Sequence, residues 1–346
     1  MKFHRHAGTA PTELARSAAG ATIALKTDEV SRHAVRLVVI ERATDDVRVT
    51  KFSSLPSLLG AGDLVVVNDA STLPASLRGT TALGAPFELR LSRPVEGTTL
   101  WGVVFGPGDH RTRTEDRLAP PPLTTGVTIA GLPAAVVAQA ARRVELSVRA
   151  DEDRLWQALY AHGRAVQYAH RREQLPLYAV QTAYAARPWA AEMPSAGRPL
   201  TWDVLLELRR RGVAIARLTH AAGLSSTGDD ALDRALPWPE RYEIPRATID
   251  AIGAARRVIA VGTTVVRALE SWAQSGDASG IARLRLDPAY KPRVVDGLIS
   301  GLHAPGESHF ELLSAFAPRD RLVRAIELAA ANGLSGHELG DACLVL

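Results

Sequence analysis

The feature that most restricts the fold is a change in the pattern of predicted helices and strands along the chain. Residues 76–149 carry short alternating strands, which include PFELRLS (86–92) and RRVELSVR (142–149). Glycine and proline separate these strands, and this pattern predicts a small β-barrel or sandwich. An apolar strand, GDLVVVND (62–69), precedes them, and helices alternate with strands after about residue 175. The sequence therefore predicts an α/β protein with a β-barrel inserted into it.

The predicted boundaries divide the chain into two domains. The large mixed α/β domain comprises residues 1–75 and 175–346, and the inserted β-barrel-like domain comprises residues 76–174. A helix over DEDRLWQALYAHG (151–163) trails the barrel strands, and Asp151 is predicted to be its N-cap.

Composition excludes several classes of protein. The chain has 346 residues and is 46% hydrophobic, so it is too apolar to be disordered. It contains no run of about 18 apolar residues and no apolar core of a signal peptide, so we expect a cytoplasmic protein without a membrane partner. The single cysteine, Cys343, excludes an internal disulfide, and no histidine pair has helical zinc spacing, so we expect no metal. A net charge of +4 permits a nucleic-acid partner without requiring one.

Generic chemical motifs are missing, but longer segments carry a family resemblance. The sequence has no P-loop, no G-x-S-x-G and no H-E-x-x-H. Nine segments instead occur in the order seen in the S-adenosylmethionine:tRNA ribosyltransferase-isomerases of queuosine biosynthesis. They are GDLVVVNDASTLPASLRG, QTAYA, MPSAGRPLT, LTHAAGL, ERYEIP, VIAVGTTVVRALES, LDPAYKPRVVDGLISGLHAPGES, LLSAFA and GDACLVL. The chain resembles this family over almost its whole length, most specifically at AVGTTVVRALES.

The resemblance implies an unusual transfer reaction. Members of the family move the ribosyl part of S-adenosylmethionine onto the aminomethyl group of a 7-deazaguanine in tRNA. They rearrange it to the epoxycyclopentane of epoxyqueuosine and release adenine and methionine. In the mechanism usually proposed for the family, a base removes a proton from the ribosyl carbon beside the sulfonium. The resemblance thus implies S-adenosylmethionine as a co-substrate, tRNA as a partner, and a large α/β domain with a smaller β-barrel.

The corner Gly262-Thr263-Thr264 is the first candidate binding element. A buried strand turns into a helix there, so free N–H groups and two hydroxyls can receive a carboxylate, a phosphate or ribose oxygens. Arg267 and Glu270 follow one turn later. From the residues alone, a threonine N-cap with a surface ion pair between Arg267 and Glu270 is the alternative. The resemblance favours a site.

Further candidates lie at predicted strand ends and turns. His303, in SGLHAP, and His220, at the end of RLTHA, are the candidate acid or base groups, and Glu270 is the third catalytic candidate. A histidine in such a place is otherwise a solvated or packed group. Asn68 and Asp69 end a buried strand, where α/β proteins place ligand groups, although an Asx-turn or helix cap is equally compatible with them.

A turn and an aromatic residue complete the predicted binding set. Tyr184 and the turn containing Ser195 and Gly197 are predicted to line a base or adenine pocket, with core packing as the alternative for Tyr184. The full predicted set of binding residues is Asn68, Asp69, Tyr184, Ser195, Gly197, Gly262, Thr263, Thr264 and Arg267.

Departures from the family pattern bear on the acceptor. The family commonly reads P-T-A-G-L-H-F-T where this chain reads PSAGRPLT (194–201), and T-N-F-H-L-P-K-S-T where it reads SGLHAPGES (300–308). A lysine that could meet phosphate is thereby replaced by Gly306, beside Glu307. These changes favour a divergent paralogue, and two alternatives stay open. One is a paralogue using S-adenosylmethionine for ribosyl transfer or sulfonium cleavage with a small-molecule acceptor, and the other is a non-catalytic RNA- or nucleoside-binding protein.

Overall fold

The computed structural model describes residues 13–14, 24–25, 31–124, 126–169, 173–336 and 339–346. Most of the first 30 residues of the predicted large domain therefore lie outside the described part. The strands, in chain order, are β1 (Glu13–Leu14), β2 (Ala24–Leu25), β3 (Arg36–Ile40), β4 (Val47–Lys51), β5 (Asp63–Asn68), β6 (Ala70–Thr72), β7 (Ser76–Thr81), β8 (Pro86–Leu91), β9 (Thr99–Phe105), β10 (Gly126–Ile129), β11 (Leu132–Ala140), β12 (Arg143–Val148), β13 (Arg187–Ala190), β14 (Ala214–His220), β15 (Glu240–Glu243), β16 (Arg257–Val261), β17 (Ser279–Ala282), β18 (Gly297–Gly301) and β19 (Ala342–Val345). The α-helices are α1 (Leu55–Leu58), α2 (Glu152–His162), α3 (Trp202–Arg210), α4 (Asp230–Asp233), α5 (Arg246–Ala254), α6 (Thr263–Ser275), α7 (Ser308–Leu313) and α8 (Arg319–Ala331).

Nine strands form one large mixed sheet in the order β17-β15-β14-β5-β16-β18-β19-β3-β4. The four strands β14, β5, β16 and β18 are parallel to one another. Their carboxyl ends therefore lie along one edge of the sheet, which we call the C-terminal edge. Strands of an open α/β sheet place ligand groups at this edge.

The alternation of side chains along β5 explains how the sheet is buried on both faces. Leu64 and Val66 pack in one apolar cluster with residues of α6, whereas Val65 and Val67 pack in another with residues of α3. A strand that helices cover on both faces has a continuous apolar sequence, as DLVVVN has. Burying each such side chain contributes roughly 1.5–3 kcal/mol, so the strand ends are held firmly in register.

The six strands β7 to β12 close into a barrel whose neighbouring strands are antiparallel. Leucine side chains such as Leu77, Leu89 and Leu146 fill its interior. The sequence pattern missed β11, because its alanine-rich stretch AAVVAQA has low strand propensity. The predicted α/β fold with an inserted β-barrel is confirmed.

Two short parallel strands connect the barrel to the large sheet. β6 leaves the end of β5, β13 returns from the barrel side, and the two pair with each other. α2 follows the barrel, and its predicted N-cap is confirmed, since the Asp151 side chain accepts from the N–H of Arg154 at 2.8 Å. The domain boundaries at residues 75 and 174 stay a prediction. No helix in the described part of the chain has the length and apolar character needed to cross a membrane.

Candidate functional site

Gly262 forms the corner between β16 and α6. It has φ +94°, a backbone conformation that residues with a side chain rarely adopt. Its N–H donates to the Ile299 carbonyl of β18 at 2.8 Å, which fixes the corner against the neighbouring strand. Among the described residues no side chain caps α6, so the threonine N-cap considered as an alternative is wrong. The first N–H groups of α6 and the positive end of its dipole are therefore available to a ligand at the C-terminal edge.

Asn68 ties the ends of two strands to this corner. Its side-chain amide donates to the His220 carbonyl at 2.9 Å and to the Thr264 hydroxyl at 3.3 Å. Its Oδ1 accepts from the N–H groups of His220 at 2.9 Å and Ala70 at 3.1 Å. Asn68 is fully buried, so these contacts lock its side chain and hold the Thr264 hydroxyl in place.

Asp69 and Tyr184 lie next to Asn68. The Asp69 carboxylate accepts from the Thr219 hydroxyl at 2.6 Å and lies 3.3 Å from Nη1 of Arg217. Burial and the Asp69 charge together raise the pKa of Tyr184, so its hydroxyl is a neutral donor at pH 7. A side chain at Gly197 would clash with that hydroxyl. The structure therefore brings Tyr184 and Gly197 into direct contact, near Asp69.

The turn Ser195–Gly197 also packs against the corner. A Cβ atom placed on Gly262 would lie 3.5 Å from the Ala196 side chain and 3.5 Å from the Thr264 hydroxyl. Ser195, which begins this turn, is half-buried. The predicted binding residues from four separate segments thus meet at the C-terminal edge, while Arg267 is buried within α6.

His220, Glu240 and Arg267 form a buried charged cluster at the same edge. Arg267 donates to the Glu240 carboxylate, which also accepts from the N–H of Gly223 at 2.6 Å. Burial raises the pKa of Glu240, against the opposing effects of Arg267 and this N–H. Nε2 of His220 lies 3.6 Å from the Glu240 carboxylate, and neither ring nitrogen has a hydrogen-bond partner in the described structure. Burial and the Arg267 charge hold the pKa of His220 well below its usual range, so the ring is neutral at pH 7.

Arg267 itself is fully engaged by the protein. Besides Glu240, it donates to the carbonyl oxygens of Leu284 at 3.0 Å, Trp238 at 3.0 Å and Ala282 at 2.9 Å. The surface ion pair with Glu270 is wrong, because both side chains are buried and have different partners. The predicted role of Arg267 as a substrate ligand stays a prediction, and its contacts favour a positioning role.

Glu270 is bound by the loop that leads into β18. Its carboxylate accepts from the Tyr290 hydroxyl at 2.9 Å and from the N–H groups of Arg293, Val294 and Val295 at 2.8–3.0 Å. Four donors occupy the carboxylate, which is fully buried. The geometry favours a structural role for Glu270, and its predicted catalytic role has no support from these contacts.

His303 follows β18 and forms a stacked pair with His309. The ring centroids lie 4.6 Å apart at an interplanar angle of 19°, and Nδ1 of His303 lies 3.1 Å from the Glu307 carboxylate. Burial, His303 and Arg267 lower the pKa of His309 to about 3. After burial, the Arg267 charge contributes to the lowered pKa of both His220 and His309. His303 contacts this pair of buried histidines only through its stacking on His309.

Comparison with known proteins identifies the family. A family model described as a queuosine biosynthesis protein matches residues 19–345. The chain belongs to this family. The S-adenosylmethionine:tRNA ribosyltransferase-isomerase of Rubrobacter xylanophilus is 32% identical over 91% of this chain and 91% of that protein. Those of Thermus thermophilus and Anaeromyxobacter dehalogenans are 33% and 34% identical, each over 91% of this chain and 93% of the relative. The resemblance stated from the sequence is confirmed.

A solved structure supports the fold of this family member. The crystal structure of S-adenosylmethionine tRNA ribosyltransferase from Thermotoga maritima has a TM-score of 0.50 and 24% identity. The match covers 94% of this chain and 96% of that chain. It shows that the large sheet and the inserted barrel are shared with that protein.

Sequence reasoning missed two residues of the site in this queuosine family member. Glu240 lies in ERYEIP and His309 directly follows GLHAPGES, two segments that contributed only to the family resemblance. Neither residue has a local motif, and only the fold brings Glu240 to Arg267. Among the described residues no group of three or more His, Cys, Asp or Glu side chains could hold a metal ion.

Proposed function

We propose that this protein transfers the ribosyl group of S-adenosylmethionine to a 7-aminomethyl-7-deazaguanine base in tRNA. The group is isomerised to the epoxycyclopentane of epoxyqueuosine, and adenine and methionine are released. The shared name of the curated relatives supports this reaction. One observation supports the site. A neutral, buried His220, whose ring nitrogens make no hydrogen bond to any described residue, lies where Asn68 and the amino end of α6 meet.

His220 is the proposed base. The sulfonium acidifies the adjacent ribosyl carbon, so a weak base in a dry cleft can remove its proton. The Glu240 carboxylate lies 3.6 Å from Nε2 of His220, beyond hydrogen-bond distance, so the geometry does not select which ring nitrogen accepts the proton. Burial and the Arg267 charge lower the pKa of His220, which makes the imidazole a weak base and keeps it in the neutral form that can take the proton.

The remaining predicted residues receive binding roles. The free N–H groups of α6 and the hydroxyls of Thr263 and Thr264 receive the carboxylate or the ribose oxygens of S-adenosylmethionine. Asn68 orients the Thr264 hydroxyl. Tyr184 lines the pocket for adenine or the acceptor base, together with the turn Ser195–Gly197. S-adenosylmethionine is the co-substrate, tRNA is the partner, no metal takes part, and the proposed location is the cytoplasm.

One observation favours a second candidate, in which S-adenosylmethionine reacts with a small-molecule acceptor. The loop after His303 has Gly306 where the family pattern has lysine, and the neighbouring Glu307 carboxylate lies 3.1 Å from Nδ1 of His303. An acidic group in this loop repels a phosphate backbone rather than attracting it. A small amine acceptor would not meet that repulsion.

The decisive experiment is incubation with S-adenosylmethionine, with and without tRNA that carries the deazaguanine. Adenine, methionine and the mass of the RNA are measured. Adenine release that requires tRNA, with a mass gain on the RNA, is the result expected from the main proposal. Adenine release with a small deazapurine amine but not with tRNA would establish the second candidate. A protein that releases no adenine under any of these conditions is not this enzyme.

The base assignment has its own test. His220→Asn is expected to lower adenine release by at least ~100-fold, the usual scale of a lost general base, while S-adenosylmethionine still binds. His303→Asn is compared with it, because His303 is the other candidate base. His33→Asn, at an exposed position, is the matched control and should keep the wild-type rate. If His220→Asn retains more than half of the rate, His220 is not the base.

A further inference from the structure

A polar cavity lies on the outer face of the barrel. Ser76, Arg78, Glu88 and Arg90 of β7 and β8 alternate with the leucines of the barrel interior, so they face outward. Residues 106–110 of the loop after β9 and His162, Arg164, Ala165, Gln167 and Gln174 complete a cavity of about 290 Å³. None of the candidate residues of the C-terminal edge lines this cavity.

The floor of this barrel cavity carries an excess of positive charge. Arg90 is 1% exposed and donates through Nε to the Glu88 carboxylate at 2.8 Å. Arg117 donates to the same carboxylate at 2.6 Å and to the Gly106 carbonyl at 2.8 Å. Burial opposes ionisation of Glu88, but the two guanidinium groups prevail and lower its pKa, so the carboxylate is charged. Two buried cations therefore share one buried anion.

Arg90 also has an unused donor. Its Nη1 is buried and makes no hydrogen bond in the described structure, although the same side chain lines the cavity. A buried guanidinium N–H without a partner costs on the order of 1–3 kcal/mol, which an anion in the cavity would recover. Glu192, whose charge also reaches Arg90, is already bound by the Tyr168 hydroxyl and by Ser225.

The rim of the cavity adds further cationic groups. Arg78 and Arg164 are exposed and line the cavity. Asp109 is the lining carboxylate besides Glu88, and its Oδ1 already accepts from the N–H of Arg111 at 2.8 Å. Guanidinium groups bind phosphate oxygens in a bidentate way, so three arginines around one space suit a phosphate better than a single carboxylate.

We infer that the barrel cavity binds a phosphate ester, with Arg90 as its buried donor and Arg78 and Arg164 at the rim. A volume of about 290 Å³ holds a phosphate with an adjoining sugar and base, but not a longer nucleic-acid segment. The phosphate comes from an RNA backbone or from a free nucleotide, since both present the same group. This inference concerns binding alone and stands apart from the proposed reaction.

The test compares two double variants of equal charge change. Arg78→Ala/Arg164→Ala removes both rim cations, while Arg149→Ala/Arg154→Ala removes two exposed arginines from strand end and helix outside the cavity. Binding of inorganic phosphate, adenosine monophosphate and a short single-stranded oligoribonucleotide is measured by calorimetry at low salt. We expect at least a tenfold loss of affinity in the rim variant and less than a twofold loss in the control.

The three probes distinguish the source of the phosphate. If the wild-type protein binds phosphate and adenosine monophosphate and the rim variant does not, the cavity is a nucleotide site. If the wild-type protein binds only the oligoribonucleotide and the rim variant loses that binding, the cavity contacts an RNA backbone. Arg90→Gln, with its fold checked by circular dichroism, should weaken the same probe. Equal losses in the two double variants, or no binding of any probe to the wild-type protein, would overturn the inference. These binding measurements do not depend on adenine release, so the phosphate site and the proposed reaction can fail separately.

Discussion

Two buried arginines, one at the C-terminal edge and one in the barrel wall, use the same chemistry in different ways. Arg267 and Arg90 are 2% and 1% exposed, and each contacts a buried glutamate. Arg267 shares Glu240 with the Gly223 N–H but with no second arginine among the described residues, and its other donors bind three carbonyl oxygens. Arg90 shares Glu88 with Arg117, and its Nη1 makes no hydrogen bond to any described residue. A buried arginine whose three nitrogens all bind protein groups stabilises the fold. A buried arginine that shares its carboxylate with a second arginine and has an unpaired N–H can bind a ligand.

The largest expected effect comes from removing Arg267. Arg267→Ala leaves the buried Glu240 carboxylate without its cation and three carbonyl oxygens without the Arg267 donors, so the free energy of unfolding should fall by about 3–5 kcal/mol. Arg90→Ala should lose only about 1–3 kcal/mol, because Arg117 still pairs with Glu88. Urea unfolding of both variants at pH 7.5, beside the exposed control Arg149→Ala, measures the difference. Equal losses would remove the distinction between the two arginines.

Glu270 extends the comparison to a carboxylate with every acceptor site in use. Glu270→Gln replaces one accepting oxygen with an NH₂ group that faces backbone N–H donors, so we expect a loss of about 1–3 kcal/mol in unfolding free energy. Adenine release per folded molecule should stay within threefold of wild type. A fall in turnover of ~100-fold at unchanged stability would instead establish the catalytic role that the sequence predicted.

The buried rings of His220 and His309 are expected to make the free energy of unfolding depend on pH. The folded pKa of His309, about 3, and that of His220 lie below the unfolded value, so protons favour the unfolded chain. Stability is therefore fully present above about pH 6.5 and is lost as the pH falls towards the folded pKa. Between pH 7 and pH 5 each ring should account for about 1–2 kcal/mol of the loss.

This contribution is measured with His220→Asn and His309→Asn. Urea unfolding at pH 7 and pH 5 should show a smaller pH-dependent loss in each variant than in wild type. Arg149→Ala provides a control that keeps both rings. An unchanged difference between the two pH values would mean that these rings are not held neutral in the folded protein.

The sequence predicted residues at strand ends better than residues that act across the fold. Asn68 and Gly262 were found because each ends an apolar run, and a parallel sheet brings such ends together. Local spacing offered a pair between Arg267 and Glu270, three residues away, as the alternative to a site, whereas the fold pairs Arg267 with Glu240, 27 residues earlier. Local spacing carries no information about a contact that depends on how α6 lies against β15.

The barrel cavity shows the same limit more strongly. It is assembled from two outward strand faces, one loop and the segment after a helix. No single stretch of sequence has the charge density of an anion site. Glu88 and Arg90 alternate in PFELRL with residues of the barrel interior, so the pattern predicted the strand and concealed the buried ion pair.

The smallest expected effect concerns the loop in which this chain departs from its family. Gly306 has φ +96°, and a side chain placed there would have no neighbour within 4 Å. Gly306→Ala and Gly306→Lys should therefore lose a similar amount of stability, about 1 kcal/mol, from backbone strain alone. Only the lysine restores the cation of the family pattern. We expect it alone to raise tRNA affinity several-fold and to steepen the dependence of log affinity on log salt by about 0.7–0.9, the value for one added phosphate contact. Fluorescence anisotropy at several salt concentrations measures both quantities. If the alanine and lysine variants bind tRNA equally, this loop does not face the RNA, and its acidic character has no bearing on the choice of acceptor.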